Sequence, residues 1–139
     1  MRVKHVVQIV ILALLIALAL YIRLAPSDAD RWHRMPEAVT DRDLTGGAMR
    51  VVHADAESFR RLHEIITGAP RTRVLAGSVE ERMVTYVTRS LVWGFPDYTT
   101  IRLRGERIEV YARLRFGNSD FGVNAERVDR WLARLAQRR

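Results

Sequence analysis

Apolar positions along this chain follow three regimes. From Val6 to Ile22 they are almost continuous: the run has no charge and one strongly polar side chain, Gln8. As a helix it spans roughly 26 Å, enough for a bilayer core, and Val3 and Leu24 can lengthen it. Backbone groups in hydrocarbon must pair within their own segment, so a helix is the form expected. Tyr21 stands where an interfacial aromatic belongs. Between residues 26 and 48 neither period is visible. Pro26, Pro36, Gly46 and Gly47 punctuate a stretch of acids and arginines, which predicts a linker. Trp32 interrupts it, either packed on a domain or resting at the membrane interface.

From Met49 onward two periods alternate. Met49–His53 is a short apolar run suited to a first strand. Asp55 is placed to cap a helix in which Phe59, Leu62, Ile65 and Ile66 share one face. Gly68 and Pro70 end it. Four strands follow: Thr72–Ala76, Arg82–Val92, Tyr98–Arg104 and Arg107–Phe116. Gly105-Glu106 forms the tight turn between the last two. In the last strand Ile108, Val110, Ala112, Leu114 and Phe116 alternate with Arg107, Glu109, Tyr111, Arg113 and Arg115. That alternation predicts one covered and one wet sheet face. A final helix, about Ala125–Gln137, aligns Val128, Trp131, Leu132 and Leu135, with Arg127, Arg130, Arg134 and Arg138 off the stripe and Asn124 as its N-cap.

The order is β-α-β-β-β-β-α, preceded by the apolar helix. The fold class expected is α+β: two layers, an antiparallel sheet with both helices on one face. Such an order resembles TATA-binding-protein-like and helix-grip architectures. The boundaries expected are 1–25 for a membrane anchor, 26–48 for a linker and 49–139 for the domain.

Charge refines the membrane segment. The chain of 139 residues carries +7, and Arg2, Lys4 and Arg23 precede its first acid, Asp28. Basic residues before the apolar run and acids soon after it place the N-terminus in the cytoplasm and the domain outside. The competing expectation is a cleaved signal peptide. Against it stand the length of the run and the arginine in Ile22-Arg23-Leu24-Ala25-Pro26, where a small residue is wanted. The remaining net charge beyond residue 25 is modest and mixed with acids, so no nucleic-acid partner is expected. Membrane lipid, through the N-terminal helix, and an envelope protein are the partners expected.

Candidate chemistry is sparse. With no cysteine there is no disulfide, thiolate metal site or cysteine nucleophile. His33, His53 and His63 lack metal-ligand spacing, and neither a nucleophile elbow nor a phosphate-binding glycine loop is present. No metal, cofactor or catalytic residue is therefore expected. The densest polar stretch runs from Arg113 through Gly117, Ser119, Asp120, Gly122 and Asn124 to Arg127. It reads in two ways. It is a structural joint in which Ser119 and Asp120 bond nearby amides and Arg113 or Arg115 reaches Asp120. Or the loop amides, the helix start and Arg113, Arg115 and Arg127 hold an anion. Trp93-Gly94-Phe95-Pro96 is either a packed connection or an aromatic lip formed by Trp93 and Phe95.

The same stretch, with its Gly-x-Ser-Asp-x-Gly-x-Asn core and following arginine, resembles the C-terminal signature of the domain-of-unknown-function family 1499. Phe95-Pro96-Asp97 resembles that family's segment before its penultimate strand. Tyr98 stands where the family often carries a second acid, so an acidic pair is not implied here. The likeness covers about Met49–Gln137. It implies an exported or lumenal setting and no particular reaction. The reading that results is a membrane-anchored, non-enzymatic interaction or scaffold module. A binder of a small anionic or lipidic ligand between sheet and helix is the alternative, and a hydrolase the third.

Overall fold

The unbroken apolar run forms α1 (Arg2–Leu24), with mean hydropathy 2.6 over its most apolar window. Of its residues only Ile22 is buried, and nearly all the others are exposed. In length and composition it is a helix able to cross a membrane. The structure, a computed structural model, describes residues 2–137; Arg138 lies outside the described residues. After α1 come a single turn, α2 (Ala29–Trp32), and then β1 (Arg42–Leu44), β2 (Gly47–His53), α3 (Ala56–Thr67), β3 (Thr72–Ser78), β4 (Met83–Arg89), β5 (Pro96–Arg104), β6 (Arg107–Leu114) and α4 (Val123–Gln137).

The strands form one antiparallel sheet in the order β1-β2-β6-β5-β4-β3. Gly105, at φ 62°, closes the β5–β6 hairpin in two residues, with Arg104 opposite Arg107. Register places Ile101 opposite Val110 and Leu103 opposite Ile108 on the face that receives α3 and α4. Phe59, Leu62 and Ile66 from α3 and Val128, Trp131 and Leu135 from α4 fill the space above them. Each such side chain contributes about 1.5–3 kcal/mol by leaving water. Asp55 caps α3, its carboxylate accepting from the Ser58 amide at 2.8 Å. Two helices on one face of an antiparallel sheet is the architecture that the periodicities predict.

The departures cluster around the stretch expected to be a linker. It contains β1, and β2 begins at Gly47, so the sheet has six strands rather than five. Gly47 marks a close approach, because a Cβ there would lie 2.0 Å from the Ala112 carbonyl oxygen. Residues 22–39 run across the sheet face opposite the helices. Ile22, Ala25 and Val39 are buried, Trp32 stacks on Tyr98, and the Pro36 and Glu37 carbonyls accept from Arg102 and Arg104. The face expected to be wet is thus strapped over, and Thr85, Tyr98, Thr100, Glu109 and Arg113 on it are buried.

Several boundaries also move; β5 begins at Pro96 rather than Tyr98 and α4 at Val123 rather than about Ala125. β4 stops at Arg89 instead of Val92, because Ser90 pairs with Phe95 across a loop closed by Gly94 at φ 71°. β6 ends at Leu114 rather than Phe116, and β3 runs on to Ser78 past an irregularity between Val74 and Ala76.

Candidate functional site

The β6–α4 joint is built on Asp120. Its carboxylate accepts from the Gly122 and Asn124 amides, both at 3.0 Å, while Ser119 Oγ accepts from the Phe121 amide at 3.2 Å. Asp120 therefore satisfies the first turn of α4, the role expected of Asn124. Asn124 instead lies inside the helix and is buried, its Oδ1 accepting from Arg127 at 3.0 Å. Arg127 also donates to Asp97 at the start of β5, at 3.2 Å. Burial pushes the Asp97 carboxyl above its ordinary range, Arg127 opposes that shift, and the Asp120 charge adds to it. Asp97 and Asp120 are electrostatic neighbours, joined through Arg127 and Asn124 rather than to each other.

Arg113 and Arg115 stand on the other side of the sheet and do not reach Asp120. Arg113 is only 8% exposed. It donates to Thr100 Oγ1 at 2.8 Å, to the Tyr111 carbonyl at 3.1 Å, and to the Trp32 carbonyl of the strap. Its guanidinium lies over Tyr111 and close to the Trp32 ring, 4.6 and 5.8 Å from their centroids. Burial lowers its pKa to about 10. Thr100 continues the chain to Thr85, and Thr85 to His33 Nδ1, each at 2.8 Å. Arg115 donates to the Pro26 carbonyl at 2.9 Å and to Tyr98 Oη at 3.2 Å. Both arginines fasten the strap. The six residues Arg113, Arg115, Ser119, Asp120, Asn124 and Arg127 thus divide between two faces and do not converge on one anion.

Glu109, which alternation placed on a wet face, is fully buried between Arg102 and Arg107. No local signal in the sequence marks it, because the strap that buries it is some seventy residues away. The remaining histidines are engaged separately: His63 Nδ1 pairs with Tyr86 Oη at 2.8 Å, and exposed His53 lies 3.7 Å from Glu106. Among the described residues no group of three metal-ligating side chains gathers.

One end of the sheet has a different character. There α1 enters the domain, with Tyr21 edge-on to Phe116 at 6.2 Å and Phe116 the same distance from Phe95. Arg89 donates to the Gly94 carbonyl at 2.9 Å, and Arg23 donates to that of Val92. Beside this junction the β4–β5 loop exposes Leu91, Val92 and Trp93 by 73, 68 and 57%. Phe95 is partly exposed. The β6–α4 loop at the same end presents Phe121, 95% exposed and held at φ 52°, a conformation uncommon for an aromatic residue. The sequence pointed to Trp93 and Phe95. It also held a signal for Leu91 and Val92, since three consecutive apolar residues run into a glycine there. Phe121 is an aromatic residue inside a polar loop, outside any period.

A family model described as "Protein of unknown function (DUF1499)" matches residues 24–135. No curated protein matches the chain.

Proposed function

The chain belongs to this DUF1499 family of proteins of unknown function, and from that premise we propose that it is a membrane-anchored, non-enzymatic interaction module that rests on the bilayer its own helix crosses. In this reading α1 stays attached and spans the cytoplasmic membrane with its N-terminus inside. The domain lies on the outer surface. The apolar lip at the α1 junction is the contact surface.

The observation that carries the reading is the position of that lip. Leu91, Val92 and Trp93 flank the last turn of α1, where a spanning helix leaves the hydrocarbon. Exposed aromatic and aliphatic side chains at that depth gain by entering the interface. The strap supports it further, because residues 22–39 tie anchor and sheet together and hold the lip in a defined place relative to α1. The space between sheet and helices is filled by Phe59, Tyr86 and Trp131, which speaks against a ligand there. Ser119, Asp97 and the histidines are each engaged separately, which speaks against a hydrolase.

Trp93 offers a direct test, since Trp131 is buried and Trp32 is stacked on Tyr98. The full chain is placed in zwitterionic vesicles carrying bromine on the acyl chains. Loss of the Trp93 emission, judged against Trp93→Phe, is the expected result. Emission that bromine spares would mean that the lip meets something other than the bilayer, and the reading would fall. A reporter fused after Gln137 checks the orientation; activity in the cytoplasm would overturn it.

A further inference from the structure

Next to the lip lies a groove of about 510 Å³ between the end of α1 and the β3–β4 edge of the sheet. Arg23, Arg71, Arg73 and Arg89 line it with Ser90 and Leu91, and no acid is among its walls. We propose that this groove binds the phosphate of an anionic glycerophospholipid from the membrane that α1 crosses. The inference rests on the reading above and adds a ligand class to it.

Four guanidinium groups around one groove repel each other and gain from a shared anion. None of the four pairs with a carboxylate among the described residues. Three are fixed by main-chain carbonyls: Arg23 by Val92, Arg71 by Arg89, and Arg89 by Gly94 and Ile22. Each guanidinium has five N–H donors, so fixing leaves donors over for a ligand. The Arg73 side chain makes no hydrogen bond or ion pair among the described residues. Arginine's planar fork matches phosphate oxygens two at a time.

The backbone is also held in an uncommon way. Arg71 sits at φ 53°, and its carbonyl accepts from the Arg89 amide at 3.0 Å while its own Nε donates back to the Arg89 carbonyl. Left-handed backbone at a non-glycine residue costs free energy, and such sites cluster where ligands are held. A neighbouring depression of about 270 Å³ shares Arg71, but its other arginines are Arg127, Arg130 and Arg134, two of which already have carboxylate partners. There Arg127 is paired with Asp97 and Arg130 with Glu126.

Location selects lipid over a free anion. Arg23 belongs to the last turn of α1, and exposed Leu91, next to exposed Val92 in the chain, lines the groove. Basic groups at headgroup depth beside apolar groups at acyl depth match both parts of one anionic lipid.

The test uses the full chain in a neutral detergent, titrated with short-chain phosphatidylglycerol, matched phosphatidylcholine or inorganic phosphate. Native mass spectrometry counts the lipid retained. One equivalent of phosphatidylglycerol is expected, with phosphatidylcholine not retained and phosphate not displacing it. Arg71→Asn combined with Arg73→Gln should weaken retention about thirtyfold with the fold retained, because asparagine suits the left-handed backbone and the one bond lost, from Arg71 Nε to the Arg89 carbonyl, is exposed. Should that pair unfold, Arg73→Gln alone removes no side-chain hydrogen bond or ion pair among the described residues and should still weaken retention about fivefold. Equal retention of the two lipids, displacement by phosphate, or full retention by a folded variant would overturn the proposal. Trp93 quenching in zwitterionic vesicles needs no anionic lipid, so failure here and failure of the module reading are told apart.

Discussion

Trp32 lies flat on Tyr98, ring centroids 4.1 Å apart and planes inclined by 14°, although one belongs to the strap and the other to a central strand. Tyr98 Oη also bonds Ser27 Oγ at 2.7 Å. The pair is the clasp that closes the second face of the sheet. Trp32→Ala should cost about 2–3 kcal/mol, from lost apolar burial and stacking. A urea titration of the full chain in neutral detergent would check it. An unchanged midpoint would mean that the strap contributes nothing to stability.

Glu109 holds a buried position between two arginines, with Arg102 Nε at 2.7 Å and Arg107 Nη2 at 2.9 Å. Removing one member of such a cluster leaves the others uncompensated, so Glu109→Ala should lower stability by about 3 kcal/mol or more. Replacing Arg107 should matter less, since that side chain is half exposed. Equal losses from Glu109→Ala and Arg107→Ala in the same titration would contradict this ordering.

Asp120 acts on α4 through two amides. Asp120→Ala should therefore cost about 1 kcal/mol, as helix caps do. Hydrogen exchange in the first turn of α4 should quicken, while lipid retention in the arginine groove stays as it was. Loss of retention at unchanged helix protection would return the loop to the functional site.

Asp97 sets a pH dependence. Its folded pKa is raised, chiefly by burial, so below neutrality the folded chain binds this proton before the unfolded chain does. Stability from this group accordingly grows as pH falls through the window between the raised and the ordinary carboxylate values, and is lost as pH rises through it. Asp97→Asn cannot take up the proton. The stability of the native chain relative to Asp97→Asn should thus increase on acidification across that window. A constant difference would show that Asp97 titrates as an exposed carboxylate.

Much of this architecture can be read locally. The apolar run of α1, the Phe59–Leu62–Ile66 and Val128–Trp131–Leu135 stripes and the alternation of β6 are periodic, and period alone assigns element type and inward face. The Gly105 turn and the Asp55 cap are equally local chemistry. The Asn124 expectation failed because two polar residues, Asp120 and Asn124, both precede the apolar stripe. The glycine at 122 lets the chain start its helix earlier than that stripe does.

Which groups meet across long separations is not encoded in any period. Residues 26–39 lack periodicity because they pack as a single irregular layer, in which scattered side chains such as Trp32 and Val39 meet the sheet. Arginines on the facing strands look solvated until the carbonyls of that layer are known. Hence the sequence alone determined that there is a membrane-length helix, a two-layer α+β domain and a polar joint near Asp120. Only the tertiary structure decided that the second face is strapped over, that Arg113 and Arg115 serve the strap, and that Arg23, Arg71, Arg73 and Arg89 come together. The reason is physical: periodic burial is a property of neighbours in the chain, while clustering of charge at the α1 junction depends on where the sheet order brings three distant segments.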